Sequence, residues 1–274
     1  MAQTINTNLV SLNAQRNLSS SQSSLATSMQ RLSSGLRING AKDDAAGLAI
    51  AERMNTQVRG MSVATRNAND AISLAQTAEG ALGKVADIFQ RMRELTVQAA
   101  NGTNSADDRD SLNEEFVQLA QEAARTLGGT QFNNQNVLAT TAAATFQIGA
   151  NNLTNVDQIT VDGFNWAGQT DITALLGTDI LTGATGVPTL QISGTDGAAA
   201  LTALSAIDDA IDKINSQRGT FGAVQNRFEN VVATLMVATE NQSAARSRIM
   251  DADYAAETAN MSRAQILQQA GNAM

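Results

Sequence analysis

The sequence predicts a mainly α fold: an elongated rod of long antiparallel helices, a coiled-coil bundle drawn from both termini, with a small β-hairpin-containing central insert. Three observations carry this. Apolar residues recur at heptad spacing between Ala68 and Ala99. Helix-compatible sequence runs without Pro from about Asp44 to Ala100. The composition also changes twice. Residues 1–130 hold 12 Lys+Arg and 13 Asp+Glu, whereas residues 131–200 have no Lys, Arg or Glu but twelve Thr and eight Gly. Residues 201–274 return to charged, Ala-rich sequence, so two similar arms enclose a foreign insert.

In chain order, Ile5, Leu9 and Leu12, then Leu18, Leu25, Met29, Leu32 and Leu36, mark a light amphipathic helix rich in Ser and Gln. Its small apolar bulk makes it marginal alone, so it needs the other terminus or other copies as a partner. With Val85 at heptad position a, the second helix presents the a/d pairs Ala71/Leu74, Ala78/Ala81, Val85/Ile88 and Met92/Leu95, then Ala99. A further row at e, Ala68, Ala75, Leu82 and Phe89, widens the stripe enough for two neighbours. Asn101-Gly102 is read as its C-cap. Such a helix is roughly 85 Å long at 1.5 Å per residue. A compact chain of this length is only about 50 Å across, so a rod is expected.

A polar turn at Asn101–Asp110 leads to a shorter helix around Ser105–Leu127, ended by Gly128-Gly129. Ser111 and Glu114 have capping-box spacing, and Asp107, Asp108 and Asp110 suit a helix start. In the insert, Thr145–Ile148, Gln158–Val161 and Thr189–Ile192 alternate apolar and polar residues between turn residues, as short strands do. The last arm carries Leu204, Ile207, Ile211, Ile214, Phe221, Phe228, Val232 and Leu235 at three- and four-residue steps, interrupted by Arg218 and Gln225. It is long enough to lie along the second helix.

Composition narrows the chemistry. Among 274 residues there is no Cys and no His, which removes disulfides, thiol nucleophiles, imidazole bases and the usual zinc and iron–sulfur ligands. No cofactor or metal is expected, and the chain is read as a non-enzyme. A formal charge of −8 and a pI near 4.6 disfavour nucleic acid as a partner. Five of those eight net negative charges fall in residues 131–200, leaving nearly neutral arms that can pack on copies of themselves. No apolar run approaches the roughly 20 residues of a membrane span, and the N-terminus lacks the features of a cleavable signal peptide.

The remaining motifs have plain structural explanations. Asp43-Asp44, Asp107–Asp110, Asp208-Asp209 with Asp212, and Asp251/Asp253 are read as caps or solvated turns. Gly128-Gly129 and Gly183–Gly186 lack the Lys-Ser/Thr of a phosphate loop. Gln90–Val97 is different. Met92 and Leu95 face the seam, while Gln90, Arg91, Arg93, Glu94 and Val97 face away, and an apolar Val97 at an outer position favours lateral contact.

Several runs then form a pattern: Ile5–Leu9, Arg31–Asn39, Lys42–Ile50, Ala223–Phe228, Ala245–Ile249, Asp251–Tyr254 and Met261–Gln269. Together they resemble bacterial flagellin over both arms, whereas the middle block does not. The resemblance implies a filament subunit that polymerises with copies of itself after export, unfolded and uncleaved, by the flagellar type III apparatus. It implies residues 1–43 plus 251–274 as an inner coiled-coil domain, and residues 44–250 as an outer rod domain including the variable insert 131–200. It also implies that Gln90, Arg91, Arg93, Glu94 and Leu95, with Glu115 on the next helix, form a surface that contacts neighbouring subunits and is read by a toll-like innate immune receptor. Leu95 carries over less well, since the heptad register turns it inward.

The metalloprotease insert of some flagellins needs H-E-x-x-H, which a His-free chain cannot supply. Flagellins normally continue past a motif like Gln268–Met274 into further turns that hold an export-chaperone site, so the stop at Met274 departs from the family pattern. Two other functions compete: a hook–filament junction protein, which shares the helical ends, and a secreted monomeric adhesin or receptor ligand.

Overall fold

The computed structural model describes residues 8–154, 156–163, 166, 169–177 and 188–273. Ile5, the Gly183–Gly186 run and Met274 lie outside them. Among the described residues, six helices and two short antiparallel pairs follow in order: α1 (Leu9–Ser34), α2 (Ala45–Ala99), α3 (Ala106–Gly129), β1 (Gln131–Phe132), β2 (Gln135–Asn136), β3 (Ala144–Gln147), β4 (Gln158–Val161), α4 (Thr170–Leu176), α5 (Ala198–Met250) and α6 (Tyr254–Ala273). Mainly helical arms around a small β-containing insert are therefore what the chain forms. Contacts divide it into two compact units, Met1–Gly60 with Val237–Met274, and Met61–Met236.

In the first unit α1 packs along α6. Asn8 caps α1 by accepting from the Val10 and Ser11 N–H groups at 3.1 and 3.2 Å. Gly35 ends it in the left-handed region at φ 72°, which a Cβ would penalise. The break after α1 then clasps the break after α5. Leu36 bridges Asp251, the Arg37 N–H donates to Met250 O at 2.6 Å, and the Ala252 N–H donates to Gly35 O at 2.9 Å. Ile38, Ala51 and Met250 make a small core beneath this clasp. Leu9, Val10, Leu12 and Met29 of α1 and Ile266 and Leu267 of α6 stay exposed.

The second unit holds the main core. The a row of α2 (Ala71, Ala78, Val85, Met92, Ala99) and its e row (Ala68, Ala75, Leu82, Phe89) are buried, whereas Leu74, Ala81 and Ile88 at d are half-buried. The stripe is thus centred between a and e, as contact with both α3 and α5 requires. Facing it are Phe116, Ala120, Ala123 and Leu127 of α3 and Ile207, Ile214, Phe221 and Phe228 of α5. The insert adds Leu138, Ile159, Trp166, Ile172 and Leu175.

Several local expectations need correction. The capping box of α3 is Ser105 with Asp108, whose side chains and backbone N–H groups satisfy one another; Ser111 lies inside the helix and donates to Asp107 O at 3.1 Å. α3 does end at Gly129, with Thr130 in extended conformation as its C-cap. Gly102 is not a left-handed cap, because the only described glycines with positive φ are Gly35, Gly177 and Gly194. Instead, the buried Arg109 covers the end of α2, donating to Ala99 O at 2.9 Å and Asn101 O at 3.2 Å. It also reaches Thr195 O at 3.2 Å, tying the approach to α5 to the same point.

β3 and β4 form the expected hairpin, with Phe146 opposite Ile159. Thr189–Ile192 is not a strand. The Thr189 and Leu190 N–H groups donate to Ala174 O, and the Ile192 N–H donates to Asn113 Oδ1, so this segment is held between α4 and α3. The β1–β2 hairpin and α4 were not foreseen. The hairpin turns on Asn133 and Asn134 with φ 49° and 62°, the left-handed pair that a tight two-residue turn demands.

Candidate protein-interaction surface

The heptad register of α2 builds this surface. Met92 and Leu95 point into the core at 0% and 1% exposure, so the residues around them point out. Gln90, Arg91, Arg93 and Glu94 are exposed, and Val97 is 50% exposed. Glu115 is exposed on α3. Of the six residues singled out in the sequence, five therefore share the surface while Leu95 lies in the core beneath them.

Arg91 organises one half. Its Nε donates to Glu115 Oε1 at 3.0 Å, and one terminal nitrogen lies 2.9 Å from Glu94 Oε2. A guanidinium offers five donors in a rigid fork, so a single side chain can hold a carboxylate of its own helix and one of α3. The hydrogen bonds to Glu94 and then Glu115 raise the Arg91 pKa above its ordinary value, keeping the cation fixed.

Arg93 organises the other half through a residue not anticipated. Its Nε donates to Asp208 Oδ1 on α5 at 2.6 Å, with a longer contact of 3.4 Å to Oδ2. This hydrogen bond and the adjacent negative charge raise the Arg93 pKa. Asp208, Asp209 and Asp212 lie inside α5 rather than at a helix start, so the capping expectation fails for them; Asp208 instead joins two helices. Nothing local distinguishes Asp208 from its acidic neighbours, and only its position opposite Arg93 does. By contrast, Asp44 and Asp253 do cap, accepting from the N–H groups of Gly47 and of Ala255 and Ala256.

Gln90, Arg93, Glu94 and Val97 line a shallow open groove beside these pairs. The result is a surface of alternating fixed charge with an apolar edge, held by three helices. It suits polar protein–protein contact more than chemistry. Among the described residues no group of three or more Asp or Glu side chains is arranged to hold a metal ion, and no helix is long and apolar enough to cross a membrane.

Known proteins identify the family. The helical region of bacterial flagellin N-termini matches residues 5–143, and the C-terminal helical region matches residues 204–274. A flagellin of Halalkalibacterium halodurans is 44% identical, covering 98% of this chain and 93% of that one. The flagellar filament 33 kDa core protein of Treponema phagedenis is 41% identical, covering 98% and 94%. The crystal structure of Bacillus cereus flagellin matches with TM-score 0.50 at 35% identity, over 62% of this chain and 88% of that one. A Vibrio parahaemolyticus protein described as flagellar hook-associated gives TM-score 0.61 over 76% of this chain and 100% of that one, but its 10% identity makes this a likeness of fold alone. The chain therefore belongs to the bacterial flagellin family and is a structural, non-catalytic subunit of the extracellular flagellar filament.

Proposed function

We propose that the surface built on Gln90, Arg91, Arg93 and Glu94, with Glu115 beside them, is where one subunit meets its lateral neighbour in the filament. The observation that carries this is the pinning of Arg91 and Arg93 by carboxylates from α3 and α5. Side chains already held in place lose little freedom on binding, so their charge is available to orient a partner. The exposed Val97 supplies an apolar edge that a monomer has no use for. The same surface, presented on free subunits, is what a toll-like receptor reads. Leu95 contributes from beneath, by fixing the turn of α2 that presents Arg91 and Glu94.

Residues 1–43 with 251–274 act as the inner domain, and residues 44–250 as the outer one. The exposed apolar residues of α1 and α6 support this, since they await burial against other copies. Export proceeds through the flagellar type III apparatus with a chaperone holding the unfolded chain. The absence of Cys is compatible with threading, because no disulfide has to form or break.

Elongation of filament seeds followed by negative-stain microscopy, together with a receptor reporter assay, tests these roles. Arg91→Ala and Glu94→Ala subunits are expected to elongate seeds more slowly than wild type and to signal less. Wild-type behaviour of both variants in both assays would remove the surface from the account. Receptor signalling without any elongation by the wild-type chain would favour a monomeric receptor ligand.

A further inference from the structure

The seam between α2 and α5 in the 61–236 unit is interrupted at one level. Along α5, the buried row Ile207, Ile214, Phe221 and Phe228 repeats every seven residues. The adjoining row reads Ile211, Arg218, Gln225 and Val232, so two polar residues enter it one heptad apart. Gln225 Nε2 donates to Glu79 Oε2 on α2 at 3.0 Å, and both residues are half-buried. Arg218 Nε is buried with no hydrogen-bond partner among the described residues. In this row polar side chains stand where its neighbours Ile211 and Val232 are apolar, and an unused buried donor weakens the packing further.

α2 carries four glycines, Gly47, Gly60, Gly80 and Gly83, and α5 carries two, Gly219 and Gly222; Gly80 and Gly83 are the α2 pair beside Glu79. The contacts Glu79–Gln225 and Arg93–Asp208 show that the two helices run antiparallel. Counting from Glu79–Gln225 at about 1.5 Å per residue, Gly80 and Gly83 lie within about a turn of Gly222 and Gly219. A Cβ on any of the four would meet nothing within 4 Å, and none has a positive φ. Neither packing nor backbone conformation requires glycine at these positions. A helix-interior glycine nonetheless lowers local helix formation about fivefold relative to alanine.

We propose that this level is a flexure joint in the α2/α5 pair, a point of local opening held closed by the Glu79–Gln225 hydrogen bond. Both helices are softened where the seam between them is most polar. Ala78, Leu82 and Val85 remain as buried at this level as Ala71 or Met92 on either side, so the softness lies in the glycine-bearing helices and the polar row rather than in a gap of the core.

Native-state hydrogen exchange with mass spectrometry on the full chain tests this. Peptides covering 79–86 and 216–226 are expected to exchange roughly tenfold faster than those covering 88–99 and 203–214. Replacing Gly80, Gly83, Gly219 and Gly222 together by Ala should slow exchange at this level by at least about tenfold and leave the flanks unchanged. Glu79→Ala should accelerate exchange at this level only. Uniform exchange along both wild-type helices, or a glycine-to-alanine effect spread evenly over them, would overturn the proposal. So would loss of helicity in the alanine variant, since it would mean that the added methyl groups are not tolerated.

Discussion

Arg93 on α2 and Asp208 on α5 meet across 115 residues of chain, with Nε 2.6 Å from Oδ1. Each side chain is 48% exposed, so the pair bridges two core helices while facing solvent. Exposed ion pairs contribute little to folding because water and salt screen them. Its value lies in presenting a fixed charge of each sign beside the groove of Gln90, Glu94 and Val97.

Arg93→Ala should therefore leave thermal unfolding almost unchanged, and raising the salt concentration should not destabilise the wild-type protein much more than the variant. Scans with circular dichroism at low and high salt check this. A large drop in the midpoint would assign the pair to the fold instead.

Arg109 should behave oppositely. It is buried at 3% exposure, and its donors serve the carbonyls of Ala99, Asn101 and Thr195. Arg109→Ala leaves those acceptors without their cation and is expected to cost about 2–4 kcal/mol. Arg109→Lys should recover only part, because one ammonium cannot reproduce the planar fork. Urea midpoints of the three proteins provide the measurement.

Phe228 anchors the insert to α5. Its ring meets Phe146 of β3 edge-on, with centroids 5.6 Å apart and planes at 82°. Phe228→Ala should cost about 3–5 kcal/mol, while Phe228→Leu, which keeps most of the volume, should cost less. Near-UV circular dichroism should also lose aromatic signal in the alanine variant. An unchanged urea midpoint for Phe228→Ala would contradict this packing.

The α3 capping box predicts a pH effect. The Ser105 hydroxyl, then the Ser105 N–H, donates to Asp108 and holds its carboxyl below the usual range. A depressed carboxylate adds stability above the unfolded-state pKa of about 3.9, and that stability is lost as pH falls through the lower folded value. Ser105→Ala should narrow the difference between urea midpoints measured near about pH 6 and about pH 3. An identical difference in wild type and variant would remove Asp108 from the acid sensitivity.

Long-range architecture was legible because it rests on repetition. A row such as Ala71, Ala78, Val85, Met92 and Ala99 states both the helix and its buried face, and all five are buried. The β3–β4 hairpin was legible from alternation alone. What escaped depends on single contacts. Ser111–Glu114 and Ser105–Asp108 have the same spacing, and the choice between them depends on where the Asn101–Asn104 turn ends. Thr189–Ile192 alternates as a strand does, yet Ala174 O and Asn113 take its N–H groups before any strand can. At the surface, Arg91, Arg93 and Glu94 followed from the register of α2. Asp208 did not, because pairing between distant helices leaves no local mark.

The most direct test of the proposed subunit contact exchanges the two charges of one pair. In the Arg93→Asp/Asp208→Arg double variant the bridge between α2 and α5 can re-form, while the charge pattern offered to a neighbouring subunit is inverted. Helicity and thermal midpoint should match wild type, and the rate of elongation from wild-type filament seeds should fall by at least roughly tenfold, as like charges are brought together across the contact. Elongation at the wild-type rate by this correctly folded variant would contradict the account.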